Sequence, residues 1–151
     1  MLNKEDESGY SHFVRLTSEG FGSDDRNMLD RDEILIRETK IRIAVSYPLN
    51  DEYRFDITLK EESNFTRFLL AESISRLYQS IYKEERETAT LPIKSMTELG
   101  NRTGCIRCPI LMNRACSSGK YSICMHGLED LVLHTVYHDE SRNLYTLGID
   151  S

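Results

Sequence analysis

The chain lacks what would carry it across or out of a membrane. No run approaches the roughly 20 apolar residues that a spanning helix needs, and the opening MLNKEDESGY has no apolar stretch of the kind a secretion signal carries. The expectation is an intracellular protein with no membrane partner. Internal repeats and low-complexity tracts are absent, and three prolines and 39% hydrophobic residues are ordinary for a globular domain. Also missing are G-x-S-x-G, a P-loop, a dinucleotide fingerprint and H-E-x-x-H, so no reaction is written in a short motif. Four cysteines are few. Inside a cell they read as free thiols or metal ligands more readily than as a disulfide frame.

What is present suits one domain, since 151 residues suffice to bury a core without staples. The net charge of −6 speaks against a protein that coats nucleic acid over its whole surface, while leaving room for a local basic patch. Residues 1–32 hold eight acidic and four basic side chains, −4 of that charge, and their apolar residues follow neither helical nor strand period. A flexible acidic arm is the expectation, although Phe13, Val14, Leu16 and Phe21 are sticky enough to dock on the domain or on a partner.

From Glu33 onward, residues 33–151 read as a single α+β domain. Ile34 and Ile36 alternate with Leu35 and Arg37, then Ile41, Ile43 and Val45 with Arg42 and Ala44, with a phase shift that predicts a bulge or break near Glu38–Lys40. Tyr47–Asp51 reads as a turn. Tyr53, Phe55, Ile57 and Leu59 form the clearest half-buried strand, and together these segments suggest an antiparallel hairpin. Next comes a helix, with Phe65, Phe68, Leu69, Leu77, Tyr78, Ile81 and Tyr82 at helical spacing. Thr66 is its expected N-cap, Phe65 and Leu70 occupy staple positions, and the helix should end at Lys83–Arg86. Residues 88–120 show no period and read as a long irregular loop. Tyr121–Cys124 reads as a short strand, and Leu128–Tyr137 and Leu144–Ile149 as two longer ones around a polar turn.

Several pieces look familiar: Phe65-Thr66-Arg67, Ser80-Ile81-Tyr82-Lys83-Glu84-Glu85, the run Gly119 to Leu131, and Leu147-Gly148-Ile149-Asp150-Ser151. From about Tyr47 to its end the chain resembles a family of short uncharacterised proteins of plants, algae and large nucleocytoplasmic DNA viruses. That family has a Phe-Thr-Arg helix start, an Ile-Tyr-x-Glu-Glu helix end and a Tyr-Gly-Ile-Trp-Gly-His-x-Leu-Glu-Asp-Leu core. The chain departs from this pattern at Leu69 (a capping-box glutamate in the family), at Ser122 (glycine) and at Cys124-Met125 (Trp-Gly). The acidic arm and long insertion resemble a viral member of the marseillevirus kind, which implies action in the host cytoplasm or nucleus. The resemblance brings no activity with it.

Three constellations invite chemistry. Cys105-x-x-Cys108 with Cys116 and Cys124, or His126 as an alternative ligand, has the soft donors of a zinc knuckle; free, partly buried thiols are the plain reading. His126 beside Glu129 and Asp130 could perform acid–base work, but carboxylates on adjacent strand residues point to opposite faces. A polar network at a strand entry is the plain reading there. Thirdly, Lys94, Arg102, Arg107, Arg114 and Lys120 against Glu98 give residues 91–124 a charge of +4 that could touch phosphates, dock the acidic arm, or simply be solvated.

The resulting expectation is an antiparallel sheet of four to five strands with one helix across a face. Leu131 and Leu133 would lie on one side of the late strand, with Leu128, Val132 and Val136 on the other. An apolar second face calls for a cover, and a second copy of the chain is the economical one, giving an interface at Leu131, Val132 and Val136. A non-enzymatic homo-oligomeric interaction or structural protein, dimer favoured and with a further protein partner open, is therefore the leading expectation. No cofactor is expected and nucleic acid is not favoured. The competing readings are a zinc-dependent nucleic-acid binder and a small enzyme using His126.

Overall fold

The structure is a computed structural model and describes residues 12–93 and 116–151. Cys105 and Cys108, with Lys94, Arg102, Arg107 and Arg114, lie outside the described residues.

The long helix α2, Arg67–Thr88, is the organising element. Its start follows from three interactions. Thr66 caps it, accepting from the Leu69 amide at 3.2 Å. Phe65 and Leu70, before and after the cap, are both buried and staple the entry. Arg67 pairs with Glu33. Leu70, Ala71, Ile74, Tyr78, Ile81 and Tyr82 then form a buried stripe at helical spacing. That stripe meets Ile41, Ile43, Val45, Leu131 and Leu133 in one core.

Of these last residues, all but Leu131, which immediately precedes β6, belong to a five-stranded sheet built from β1 (Val14–Arg15), β3 (Lys40–Val45), β4 (Tyr53–Thr58), β6 (Val132–Asp139) and β7 (Leu144–Asp150), in the order β1-β6-β7-β3-β4. The α+β expectation holds, and the 41–45 and 53–58 segments form the foreseen antiparallel hairpin. One neighbour corrects the all-antiparallel picture: β7 lies parallel to β3. The phase shift near Glu38–Lys40 is a break between sheets. β2 (Ile34–Ile36) leaves to pair with the two-residue β5 (Phe65–Thr66) in a second, small sheet. The late strand starts later than expected, because Leu128–Asp130 is a single 3-10 turn.

Residues 12–32 overturn the free-arm expectation. β1 pairs with β6 through Val14–Leu133 and Arg15–Val132. The short helix α1, Ser18–Asp24, is capped by Thr17. Arg15 clasps Asp24 with its backbone amide at 2.8 Å and with its guanidinium at 2.7 and 3.1 Å. Val14, Leu16, Phe21 and Met28 are all core residues. Glu19, Asp30 and Asp32 are exposed and Asp24 is buried against Arg15, while four well-spaced apolar side chains tie the segment down.

The register of β6 also corrects the interface expectation. Between Leu133 and Thr135 the strand carries one extra residue, His134, opposite a regular stretch of β7. This bulge reverses the alternation, so Leu133 (opposite Ile149) and Val136 (opposite Leu147) face the same core side. Gly148 makes room for the bulge: a β-carbon there would lie 2.6 Å from the His134 ring. Leu131 is fully buried within the chain. Of the three expected interface residues, Val132 alone lies on the outer face, opposite Asp150. That face is largely polar. Asp56 pairs with Lys40 at 3.0 Å and Arg42 at 2.8 Å, and Arg142 pairs with Asp139 at 2.7 Å and Glu52 at 2.9 Å. Among the described residues, the outer face of this strand is not the apolar surface that called for a second copy.

Candidate functional site

The C-terminal end of α2 gathers most of the polar chemistry. Glu85 lies on the buried stripe and is 0% exposed. A carboxylate in that position must be met by donors, and the segment after Cys116 supplies them. Gly119 and Tyr121 donate backbone amides at 2.9 and 2.7 Å, and the Ser117 hydroxyl donates as well. Ser117 in turn accepts from the Ile123 amide at 2.9 Å. At Gly119 a β-carbon would sit 2.6 Å from the Glu85 carboxylate, so this close approach requires glycine. Next door, Glu84 accepts from Lys120 Nζ at 2.7 Å and from the Tyr121 hydroxyl. The Lys120 hydrogen bond, then that of Tyr121, holds the Glu84 carboxyl below its ordinary range. The adjacent Glu84 and Glu85 thus form a latch that orders Ser117–Ile123. Lys120, one cation of the expected basic patch, is spent inside it.

Cys116 and Cys124 face each other across an isolated bridge and are joined as a disulfide. Bonded to each other, their sulfurs are not the thiolate ligands of the expected zinc knuckle. Among the described residues no group of three or more His, Cys, Asp and Glu side chains could hold a metal ion.

Beyond Cys124 the chain turns through His126, whose backbone carbonyl accepts from the buried Tyr82 hydroxyl at 2.9 Å. Burial foremost, then Tyr78 and the charges of Glu129 and Asp130, pushes the Tyr82 phenol far up, so it stays a donor. Tyr78, raised likewise by burial, donates to the Tyr47 carbonyl at 2.8 Å. Tyr47 precedes a cis proline, Pro48, whose carbonyl accepts from the Cys124 amide at 3.2 Å. These bonds bring the Tyr47 and His126 rings to 5.7 Å between centroids. Ser151, from the end of β7, completes a surface cluster: its Oγ is 2.8 Å from the Tyr47 hydroxyl and 3.5 Å from His126 Nε2.

His126 Nδ1 faces Asp130 Oδ2 at 4.0 Å. Serine on Nε2 and carboxylate on Nδ1 is the order of an acyl-transfer relay. Yet 4.0 Å is outside hydrogen-bond range, and the same Asp130 oxygen already accepts from the Gly127 amide at 3.0 Å, capping the 3-10 turn. Glu129 is exposed beside Gly127, where its carboxylate occupies the space a β-carbon would need. The structure therefore brings His126 and Asp130 to one place and leaves Glu129 outside it. Tyr47 and Ser151, which the sequence reading passed over, stand with them. As arranged, the cluster pins the end of β7 to the 124–130 turn.

Three clefts of the described surface lie elsewhere, and none has His126 in its wall. The most apolar, about 430 Å³, runs between β2 and β6, with Leu35, Leu70, Val136 and Tyr145 among its lining residues. His138 stacks on Tyr145 there at 4.6 Å.

No family model, curated protein or solved structure matches the chain.

Proposed function

We propose that the chain is a non-catalytic interaction protein that assembles with a second copy of itself, along an edge of its sheet rather than through a face. One observation carries this reading. β6 is eight residues long, but β1 covers only Val132 and Leu133 on its outer side. Among the described residues no strand pairs with Thr135–Asp139 on that side. Such an edge is a template for another strand.

Its composition favours self-pairing. Thr135–Asp139 contains no lysine, arginine or proline, the residues that commonly block an edge. Antiparallel pairing about a two-fold axis at Tyr137 sets Val136 beside His138 and Thr135 beside Asp139, an isologous contact. The two Asp139 carboxylates lie at opposite ends of that pair, each already bound by its own Arg142. Tyr137, 56% exposed, gains a neighbour at the axis. The motif resemblance extends the proposal to a viral member acting inside the infected cell.

Light scattering of the purified chain at micromolar concentration should give twice the chain mass. Tyr137→Lys, which sets two ammonium groups across the axis, should give the single-chain mass with an unchanged far-UV circular dichroism spectrum. A wild-type monomer, or a Tyr137→Lys protein that remains dimeric, rejects edge pairing.

A further inference from the structure

We propose that the Cys116–Cys124 bond is a reversible redox staple whose opening loosens the chain at Cys116 while the fold around it stands. Two separate sets of contacts hold residues 116–124. The first is redox-independent: the Glu85 carboxylate binds Ser117, Gly119 and Tyr121, the Ser117 amide donates to the Ile123 carbonyl at 2.9 Å, and the Cys124 amide donates to Pro48. Tyr121 and Ile123 are buried in the main core as well. The second is the disulfide, which ties the side chain of Cys116, one residue before that anchored stretch, back to Cys124. Everything from Ser117 onward therefore keeps its partners when the bond opens, and Cys116 loses its covalent one.

The bond is placed where a reductant reaches it, both cysteines being half-buried rather than enclosed in the core. The reductant is a dithiol. Its thiolate attacks one sulfur and forms a mixed disulfide while the other cysteine leaves as a thiolate. Its second thiol then resolves the mixed disulfide. Two electrons and two protons pass to the protein, giving two cysteine thiols, and the dithiol ends as a disulfide. A reducing compartment would hold the staple open and an oxidising one would close it. The half-buried bond joins Cys124, held through its amide by Pro48, to Cys116, which precedes the Glu85-bound stretch, and that placement is what makes the effect local.

The test follows the full-length protein in oxidised buffer and after dithiothreitol under native conditions. Peptide mapping without reduction should find Cys116 linked to Cys124 in the oxidised protein, and dithiothreitol should open that link while the far-UV spectrum and a single cooperative melt persist. Hydrogen exchange at the Cys116 amide should then quicken about tenfold or more, with the Tyr121 and Ile123 amides unchanged. The Cys116→Ser/Cys124→Ser double variant should match the reduced protein in both buffers. Linkage of either cysteine to Cys105 or Cys108, a bond that native dithiothreitol leaves closed, or equal quickening at Tyr121 and Ile123 each overturns the proposal.

Discussion

Two segments without periodic sequence, residues 12–32 and 116–127, both dock on α2, and they do so by opposite means. The first is held by apolar side chains. Val14, Leu16, Phe21 and Met28 enter the core, and α2 adds bonds to backbone carbonyls of the segment: Ser75 Oγ and Gln79 Nε2 donate to Leu16 at 2.9 and 3.3 Å, the Phe68 amide to Arg31 at 3.0 Å and Arg67 Nε to Asp30 at 3.4 Å. The second is held largely through one buried carboxylate, Glu85, which gathers a hydroxyl and two backbone amides, with Tyr121 and Ile123 adding apolar anchorage. An irregular segment needs no period to be ordered. It needs a few contacts to a regular element that offset its conformational entropy. Apolar anchors do this through area, whereas a buried carboxylate does it because leaving its donors unpaired is costly.

The largest effect that would break this comparison is removal of the first segment. Deleting residues 1–32 takes away four core side chains, each worth roughly 1.5–3 kcal/mol when buried. That is roughly 6–12 kcal/mol, comparable with the whole stability of an ordinary domain. The truncated chain should show no cooperative thermal transition by circular dichroism. A melt within a few degrees of the full chain would return 12–32 to the status of a free arm.

The second anchor gives a smaller but still large effect. Glu85→Leu keeps the helix stripe apolar, strands the Gly119 and Tyr121 amides and leaves the Ser117 hydroxyl only its longer bond to the Ile123 carbonyl at 3.3 Å, at about 1–3 kcal/mol for each unpaired group. A loss on the order of 3 kcal/mol or more is expected in urea unfolding, with Glu85→Gln intermediate because an amide oxygen still accepts. If Glu85→Leu unfolds at the wild-type urea midpoint, the latch contributes nothing and Tyr121 and Ile123 alone hold the segment.

How much of this was readable in advance follows from the same physics. α2 was legible because its cap, staple and apolar stripe are all local, within Phe65–Tyr82. β4 was legible because its alternation is unbroken, and β3 because Ile41, Ile43 and Val45 keep one phase. β6 was misread because the bulge at His134 inserts one residue without a compositional mark, turning a one-faced strand into one that looks apolar on both faces. α1 is seven residues long, too short for a period to emerge, although its anchor Phe21, and Leu16 just before it, stood out as isolated apolar residues. Glu85 read as one more charge at a helix end, and only the fold shows that it points inward. Glu84-Glu85 and Gly119–Tyr121 did appear among the motifs behind the family resemblance, so a signal existed without its explanation. Tyr47 and Ser151 meet across 104 residues, and nothing local could pair them.

A milder substitution sharpens the contrast. Ser75→Ala removes the buried hydroxyl that donates to the Leu16 carbonyl and leaves Gln79 as the remaining donor to it. Since apolar burial holds that segment, the loss should be only about 1 kcal/mol, well below that of Glu85→Leu. Equal losses for the two variants would mean that both segments depend on their polar bonds to the same degree.

The smallest effect concerns Glu84, the exposed half of the latch. Its folded pKa lies below the ordinary 4.5 because Lys120, and then Tyr121, donate to the ionised carboxyl. A group with a depressed folded pKa stabilises the fold above its unfolded value and loses that contribution as the pH falls through the folded one. The stabilisation is therefore complete near neutrality and disappears on the acid side of pH 4.5. Exposure and salt screening keep it small. In thermal melts at low ionic strength, Glu84→Gln should lie slightly below wild type at pH 7. The gap should close as the pH is lowered from 4.5 and shrink at high salt at any pH. A gap that persists unchanged into acid would mean that the glutamate acts through packing and hydrogen-bond shape instead of charge, which would make both halves of the latch alike.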